Sequence, residues 1–329
     1  MAILRFGQFN IRDLTMEKLR NPEHPQVMVA AKIIKRFSPD VLSINEMQAD
    51  TAAPRAFIEN FLKKGEAPVD YPFSYIGETN SGVRTGLPQP FDYKGYGSFK
   101  GQYGIACLSK FRMDFEAIKN YKDVPWGAMP LNYCGEMGCP EDFPLWSTAF
   151  LDIPVDINGT VVHFLLLHPT VPLRNYMNLR RNADQLRFLE RYISGQDAPG
   201  VPALKNDAPF VIMGDLNADP EEGLGTCEVI RKFLNNGNIT GNGQAKKTFL
   251  EGGGAGWPSF DRPGLLEARL DYILPSKRHF VLKEFHVFSP KGTPWWPVAR
   301  RASDHFFIYA DCELVKERPQ KKRPLFSSL

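Results

Sequence analysis

The chain has 329 residues, 43% hydrophobic and 23% charged, a composition that supports a large buried core and excludes both a disordered chain and a small disulfide-stapled scaffold. The formal net charge is +3, and residues 313–329 carry all of it, with Lys316, Arg318, Lys321, Lys322 and Arg323 against Glu313 and Glu317. The remaining body is neutral, which excludes the global basic footprint of a duplex-binding protein.

In chain order, residues 3–11 (ILRFGQFNI) read as a strand, residues 26–37 as a helix with apolar residues at helical spacing, and residues 40–47 as a second strand, a βαβ opening. Ser38-Pro39 ends the helix, because the residue before proline is pushed out of the α region. Residues 71–99 are rich in Gly, Pro and aromatics and read as a long substrate-side loop. A strand at 103–111 follows, then a second irregular insert, 123–144, which holds Cys134 and Cys139. That pair has two readings, a small loop disulfide or two free thiols, and the five cysteines form no zinc pattern.

The second half opens on WSTAFLDIPV and TVVHFLLLHP, two strands joined through an Asn-Gly hairpin signal. Residues 177–193 form a helix with Leu179, Leu186, Leu189 and Ile193 on one stripe. Strands are expected at PFVIMGDLN, at 268–275, at 280–288 and at 305–314, the last beginning with Asp304 and His305. Mixed βαβ spacing and hairpins favour one α/β unit spanning residues 1–312, followed by a basic tail, 313–329, with Pro319 and Pro324 in it. The apolar runs, such as residues 164–167, fall far short of the roughly 18 residues that span a bilayer. The opening residues read as a strand and not as a signal peptide. The expectation is a soluble protein, cytoplasmic as given and extracytoplasmic if a leader has been removed.

The chemistry-bearing residues share one feature, which is that each ends or begins an apolar run: Asn10, Glu46, His168, Asp215 with Asn217, Asp271, and Asp304 with His305. Singly, each reads as a turn former or a satisfied core histidine. Together they are four carboxylates, two histidines and two asparagines at strand termini, where a rigid sheet aims side chains at one crevice. Burying so many charges unpaired would be costly, so a bound hard cation is the economical explanation.

FNIR with INE, LLLHP, GDLNADP, RLDYILPS and SDHF, in this order, resemble the endonuclease/exonuclease/phosphatase superfamily over most of the chain, from Phe9 to His305. The YGIACLSKF segment is similar to that family's central strand, and bacterial members carry HPQ before the first helix, here His24-Pro25-Gln26, and GQYG before the central strand. The resemblance implies an α/β (α+β) four-layer sandwich of two packed mixed β-sheets flanked by helices, and a divalent-metal phosphoesterase. It implies that Glu46 holds Mg²⁺, with Mn²⁺ or Ca²⁺ as alternatives, that Asn10 completes or supports the position, and that Asp304 is a second ligand or an outer-sphere contact. Asp215 is then the general base that orients water for in-line attack, and Asn217 and His305 donate to phosphoryl oxygens, with Asp271 fixing the His305 tautomer. His168 is the second histidine facing the phosphate. In pancreatic deoxyribonuclease a glutamate supports the equivalent histidine, whereas here KGQYG offers Gln102 and no acid, a departure that weakens an acid role for His168.

The expected substrate is a small or medium organic phosphoester. Arg300, Arg301, Trp295 and Trp296 are the candidate substrate contacts, and the tryptophans are read either as stacking surfaces or as packing beneath a loop. The alternatives are a nuclease, whose basic rim would draw on Arg300, Arg301, Lys246, Lys247, Arg174, Arg180 and Arg181, with Trp257 among the aromatics of the same loops, and a catalytically inactive binding protein. No protein partner is implied.

Overall fold

The computed structural model describes residues 2–172, 176–205, 207–221, 225–240 and 268–315. The candidate residues Arg174, Lys246, Lys247 and Trp257, and the tail beyond residue 315, lie outside them.

The first half builds β1 (Ile3–Leu14), α1 (Met16–Arg20), α2 (Pro25–Phe37), β2 (Val41–Met47), α3 (Ala53–Phe57), β3 (Phe73–Ile76), β4 (Gly104–Ser109), β5 (Arg112–Met113) and β6 (Lys119–Asn120). The second builds β7 (Phe150–Ile157), β8 (Thr160–Leu167), α4 (Tyr176–Ile193), β9 (Phe210–Asp215), α5 (Cys227–Leu234), β10 (Asp271–Pro275), β11 (Phe280–Val287), α6 (Trp296–Ala302) and β12 (Ile308–Leu314). One sheet has the order β11-β12-β1-β2-β4-β3, the other β10-β9-β8-β7-β5 with β6 on β7. Each sheet is mixed, with one parallel pair, β1/β2 or β8/β9, bridged by helical crossovers.

The layers follow from side-chain alternation. Leu4 and Phe6 of β1 point inward with Val41, Ile105, Phe164, Val211 and Met213 into the core between the sheets. Phe9 and Ile11 point outward with Leu42 and Ile44 and are covered by α2, which buries Val27, Ala30, Ala31, Ile33 and Ile34. On the other sheet Leu165, Leu167, Phe210 and Ile212 face α4, which buries Leu186, Phe188, Leu189 and Ile193. Helix, sheet, sheet and helix make the four layers, and three apolar clusters fill the three gaps between them.

The α2 helix starts on Pro25 and ends at Ser38, which turns left-handed at φ 43° ahead of Pro39. The β7–β8 hairpin turns through Asn158 and Gly159, both at positive φ as a tight two-residue hairpin requires. Two sequence expectations need correction. Residues 71–99 contain β3, and Asp304 and His305 do not begin the last strand: α6 ends at Ala302, a loop carries both residues, and β12 starts at Ile308. The α6 helix escapes a sequence reading because Pro294 and Pro297 flank the tryptophan pair, although proline at a helix's first turn is favourable. Cys134 and Cys139 are free thiols, with the Cys134 Sγ 3.6 Å from the Cys139 carbonyl oxygen. Among the described residues no helix is long and apolar enough to cross a membrane.

Candidate active site

The inward-facing row of β1 changes character along the strand: Leu4, Phe6, Gln8, Asn10. The neighbouring strands do the same, from Val41 to Ser43 and Asn45 on β2 and from Val211 and Met213 to Asp215 on β9, with Asp271 beside Ile273 on β10. Asn10 is in register with Asn45, and Asp271 with Asp215, so one end of the inter-sheet core becomes a polar box with walls from both sheets. Gln8, Asn10, Asn45, Asp215 and Asp271 are all buried there.

Buried polar groups need partners, and the box supplies them. Gln8 Nε2 donates to Asn45 Oδ1 at 2.6 Å and to Asp271 Oδ1 at 3.3 Å. Asn45 Nδ2 donates to the Leu167 carbonyl at 3.3 Å, while its Oδ1 accepts the Asp215 N–H at 3.0 Å. Gln8 and Asn45 are members that motif reading missed. Their signal in the sequence is parity, two residues before Asn10 and directly across the ladder from it.

Asp215 is the centre. Its Oδ2 accepts from Asn10 Nδ2 at 3.0 Å and lies 3.4 Å from His168 Nε2 and 3.7 Å from His305 Nε2, while its Oδ1 caps the Asn217 N–H at 2.9 Å. The Nδ1–H of His305 donates to Asp271 Oδ2 at 2.7 Å. Burial alone would lower the His305 pKa, but the carboxylates of Asp271 and Asp215 outweigh it and push it up to about 10. Burial alone would likewise raise Asp215, yet the two imidazoles hold it below the usual carboxylate range. His168 is also raised: burial opposes its charge, and the bond to Asp215 prevails.

Glu46 sits where β2 breaks its ladder. The register between Asn45 and Met47 shifts by a bulge, and Glu46 takes φ 66°, a strained conformation for this residue type that turns its carboxylate toward Asn10. Glu46 Oε1 accepts from Asn10 Nδ2 at 3.2 Å and Oε2 accepts the N–H of Asp13, itself at φ 53°. The Oδ1 of Asn10 is buried and has no hydrogen-bond partner among the described residues. A carboxylate in the half-buried range beside an orphaned amide oxygen is a donor set of hard oxygens, which suits a divalent cation that keeps several waters. Among the described residues there is no cluster of three or more His, Cys, Asp or Glu that would hold a metal by protein ligands alone.

The remaining sequence candidates separate. Asp304 does not touch Glu46 or Asn10 by hydrogen bond; its Oδ1 lies 3.4 Å from Ser303 Oγ, and its Oδ2 lies 3.9 Å from Arg12. Asn217 Nδ2 donates to the Pro169 carbonyl at 3.0 Å, tying the loop after β9 to the loop after β8. Among the described residues the Nδ1 of His168 has no partner, and Gln102 turns instead to Asp13 Oδ1 at 2.9 Å, so none of their side chains braces the far edge of the His168 ring. Arg300 and Arg301 line a cleft of about 580 Å³ beside Asp304. Trp295 and Trp296 do not line it: Trp295 stands edge-on to Phe288 under Arg36 and Lys32, and Trp296 leans on Phe306. Arg181 is buried and donates to the carbonyls of Leu145, Pro144 and Lys94, a clamp on the two inserts and no part of an exposed rim.

The family model for the "Endonuclease/Exonuclease/phosphatase family" matches residues 29–305, and the chain belongs to that family. Its members are generally phosphoester hydrolases. Among solved structures, an endonuclease/exonuclease/phosphatase from Beutenbergia cavernae is 20% identical, covering 95% of this chain and 72% of its own, with a TM-score of 0.61. The mannosyl-6-phosphatase of Bacteroides thetaiotaomicron is 14% identical over 94% of this chain and 100% of its own, TM-score 0.54. An AP endonuclease from Archaeoglobus fulgidus is 14% identical over 93% and 98%, TM-score 0.54. At these identities the likeness is one of fold. No curated protein matches the sequence.

Proposed function

We propose that this protein is a divalent-metal-dependent phosphodiesterase or phosphatase that acts on a small or medium organic phosphate. The observation that carries the reading is the surround of Asp215 Oδ2, with Asn10, His168 and His305 within 3.0 to 3.7 Å and Asp271 behind His305. An attacking water needs a base that is ionised at neutral pH, and the depressed Asp215 carboxylate is one. A pentavalent phosphoryl group needs donors where its charge develops, and the Nε2–H of a cationic His305 supplies one, held in orientation by Asp271.

Asp215 takes the proton of the water that attacks in line, His305 donates to a phosphoryl oxygen, and Asn217 offers the N–H that Pro169 does not use. His168 faces the same phosphate as a second donor. It lacks a brace on Nδ1, so its share is charge stabilisation more than proton delivery to the leaving group. Glu46 and Asn10 are the residues that would hold the cation, Mg²⁺ first, and Asp304 is assigned an outer-sphere contact. What the cation supplies when bound is positive charge against the phosphoryl oxygens. Arg300 and Arg301 are assigned to substrate binding, and Trp295 and Trp296 to support of the α6 segment that carries those arginines. The activity is assigned to one domain, residues 1–312, with 313–329 as a basic tail.

The test sets p-nitrophenyl phosphate, bis-p-nitrophenyl phosphate and supercoiled plasmid side by side, with Mg²⁺, Mn²⁺, Ca²⁺ or EDTA, for wild type and Asp215→Asn. The expected result is metal-dependent ester hydrolysis that falls by roughly 10²–10⁴ in the variant and an intact plasmid. Nicked plasmid without ester turnover would replace the small-substrate reading with a nuclease, and turnover indifferent to Asp215 would remove the mechanism.

A further inference from the structure

The cleft beside Asp304 holds more positive charge than one scissile phosphate uses. It brings Arg12, Lys18, Arg300 and Arg301 together against Asp13 and Asp304. Two of the cations form only long ion pairs with these acids, Lys18 at 3.8 Å from Asp13 and Arg12 at 3.9 Å from Asp304, beyond hydrogen-bond reach. The Arg12 side chain is 54% exposed. Guanidinium forks at such a spot are suited to compact anions, which they grip in bidentate fashion.

The cleft is built, not incidental. Gln26 pins three of its walls at once: its Nε2 donates to the carbonyls of Arg12 at 2.8 Å and Ala302 at 3.1 Å, and its Oε1 accepts from Lys18 Nζ at 2.9 Å. One amide therefore fixes the end of β1, the end of α6 and the direction of Lys18. The cleft is also continuous with the reaction site. Ser303 Oγ donates to the Asn10 carbonyl at 2.7 Å and accepts the Arg12 N–H at 3.1 Å, and Asp13, which lines the cleft, donates its N–H to Glu46.

We propose that this cleft is a subsite for a second anionic group of the substrate, so that the preferred substrates are small organic phosphates carrying a further phosphate or carboxylate beyond the scissile one. The inference rests on the reading of the Asp215 site as a phosphoesterase and names its substrate class. The same anion chemistry is presented by the adjacent phosphate of a nucleic-acid strand. A cleft of about 580 Å³ and a neutral body favour the small compound.

Two arms test it on the full chain, with fructose 6-phosphate, fructose 1,6-bisphosphate and a short single-stranded oligonucleotide as probes. In the binding arm, calorimetry on metal-free Asp215→Asn protein is expected to show the bisphosphate at least about tenfold tighter than the monophosphate, as a charge-assisted bidentate contact predicts. Adding Arg12→Gln and Arg301→Gln should bring that ratio close to one. Lys18→Gln should lower it on its own and serves as the second variant if the arginine pair does not fold. In the kinetic arm, wild type should prefer the bisphosphate in kcat/KM and lose that preference in the same variants. A ratio near one in wild type, or one that survives the substitutions, overturns the subsite. Oligonucleotide binding that depends on Arg12 and Arg301 while the sugar ratio stays near one overturns the small-substrate assignment. A retained binding ratio with no hydrolysis of any ester supports the subsite and overturns the phosphoesterase reading, so the two failures are distinguishable.

Discussion

Asp271 lies 2.7 Å from His305 Nδ1 and, together with Asp215, offsets the burial that would otherwise disfavour the charged imidazole. Asp271→Asn keeps the hydrogen bond's shape and removes its charge. It should lower kcat by roughly 10²-fold with little change in KM, as expected for a donor that matters chiefly in the transition state. A loss in Asp271→Asn far smaller than in Asp271→Ala would mean that orientation, and not charge, is the contribution.

A second residue gives a clean pH signature away from the site. Asp184 is buried, accepts from Trp126 Nε1 and the Tyr133 N–H at 2.7 Å each and pairs with Arg187, yet burial raises its pKa above the ordinary value. Since the folded pKa exceeds the unfolded one, the folded state holds the proton longer, and stability is lost as pH rises from the unfolded pKa through the folded one. The stability of wild type relative to Asp184→Asn should therefore fall as pH rises from about 4 and level off once Asp184 is ionised in both states. Urea titrations read by tryptophan fluorescence would show it, and a difference that grows in favour of wild type with rising pH would contradict the sign.

At the scale of elements, the site depends on where strands stop. β9 ends on Gly214-Asp215, and a Cβ on Gly214 would lie 2.0 Å from the Leu167 carbonyl, the same carbonyl that accepts from Asn45. Backbone cannot yield there as a flexible side chain would, so Gly214→Ala should separate β8 from β9 at this point. The expected outcome is a loss of about 2–4 kcal/mol in urea unfolding together with loss of activity, whereas activity retained at full stability would mean the strands can part without moving Asp215.

Elements also show what a one-dimensional reading handles well. Long periodic runs such as the α2 and α4 stripes, the Asn-Gly hairpin and the apolar β8 and β9 strands were legible because one local rule governs each. The α6 helix, the bulge at Glu46 and the loop holding Asp304 were not, since tertiary contacts set them: Trp295 and Trp296 pack on the core, and the bulge answers to pairing on both sides of β2. Glu46 was identified by its motif, while the left-handed turn that aims it had no signal in the residue itself.

At the scale of the molecule, two sheets meet face to face and share one polar end. Asn10 and Glu46 come from one sheet, Asp215 and Asp271 from the other, so a cation held by Glu46 and Asn10 should stabilise the folded chain by mass action. Raising Mg²⁺ from EDTA conditions to about 100 times its Kd should add about 2.7 kcal/mol to wild type, and Glu46→Gln should lose most of that gain. A Glu46→Gln protein that gains as much as wild type would move the cation elsewhere.

The residue types of the candidate site and their order along the chain are legible in the amino-acid sequence, because a carboxylate or histidine at the close of an apolar run is visible residue by residue, whereas the loop that carries Asp304 and His305 is not. The neutral body is legible there too, through charge counting. Long-range packing alone shows that Gln8 and Asn45 tie the two sheets together, that Asp304 turns to Arg12, that Trp295 and Trp296 lie on Phe288 and Phe306, and that Arg12, Lys18, Arg300 and Arg301 share a cleft. Those four cations come from two stretches nearly three hundred residues apart. What joins them is sheet pairing of β1 with β12 and the packing of α2 on α6, long-range contacts whose geometry depends on the whole core and is written in no local segment.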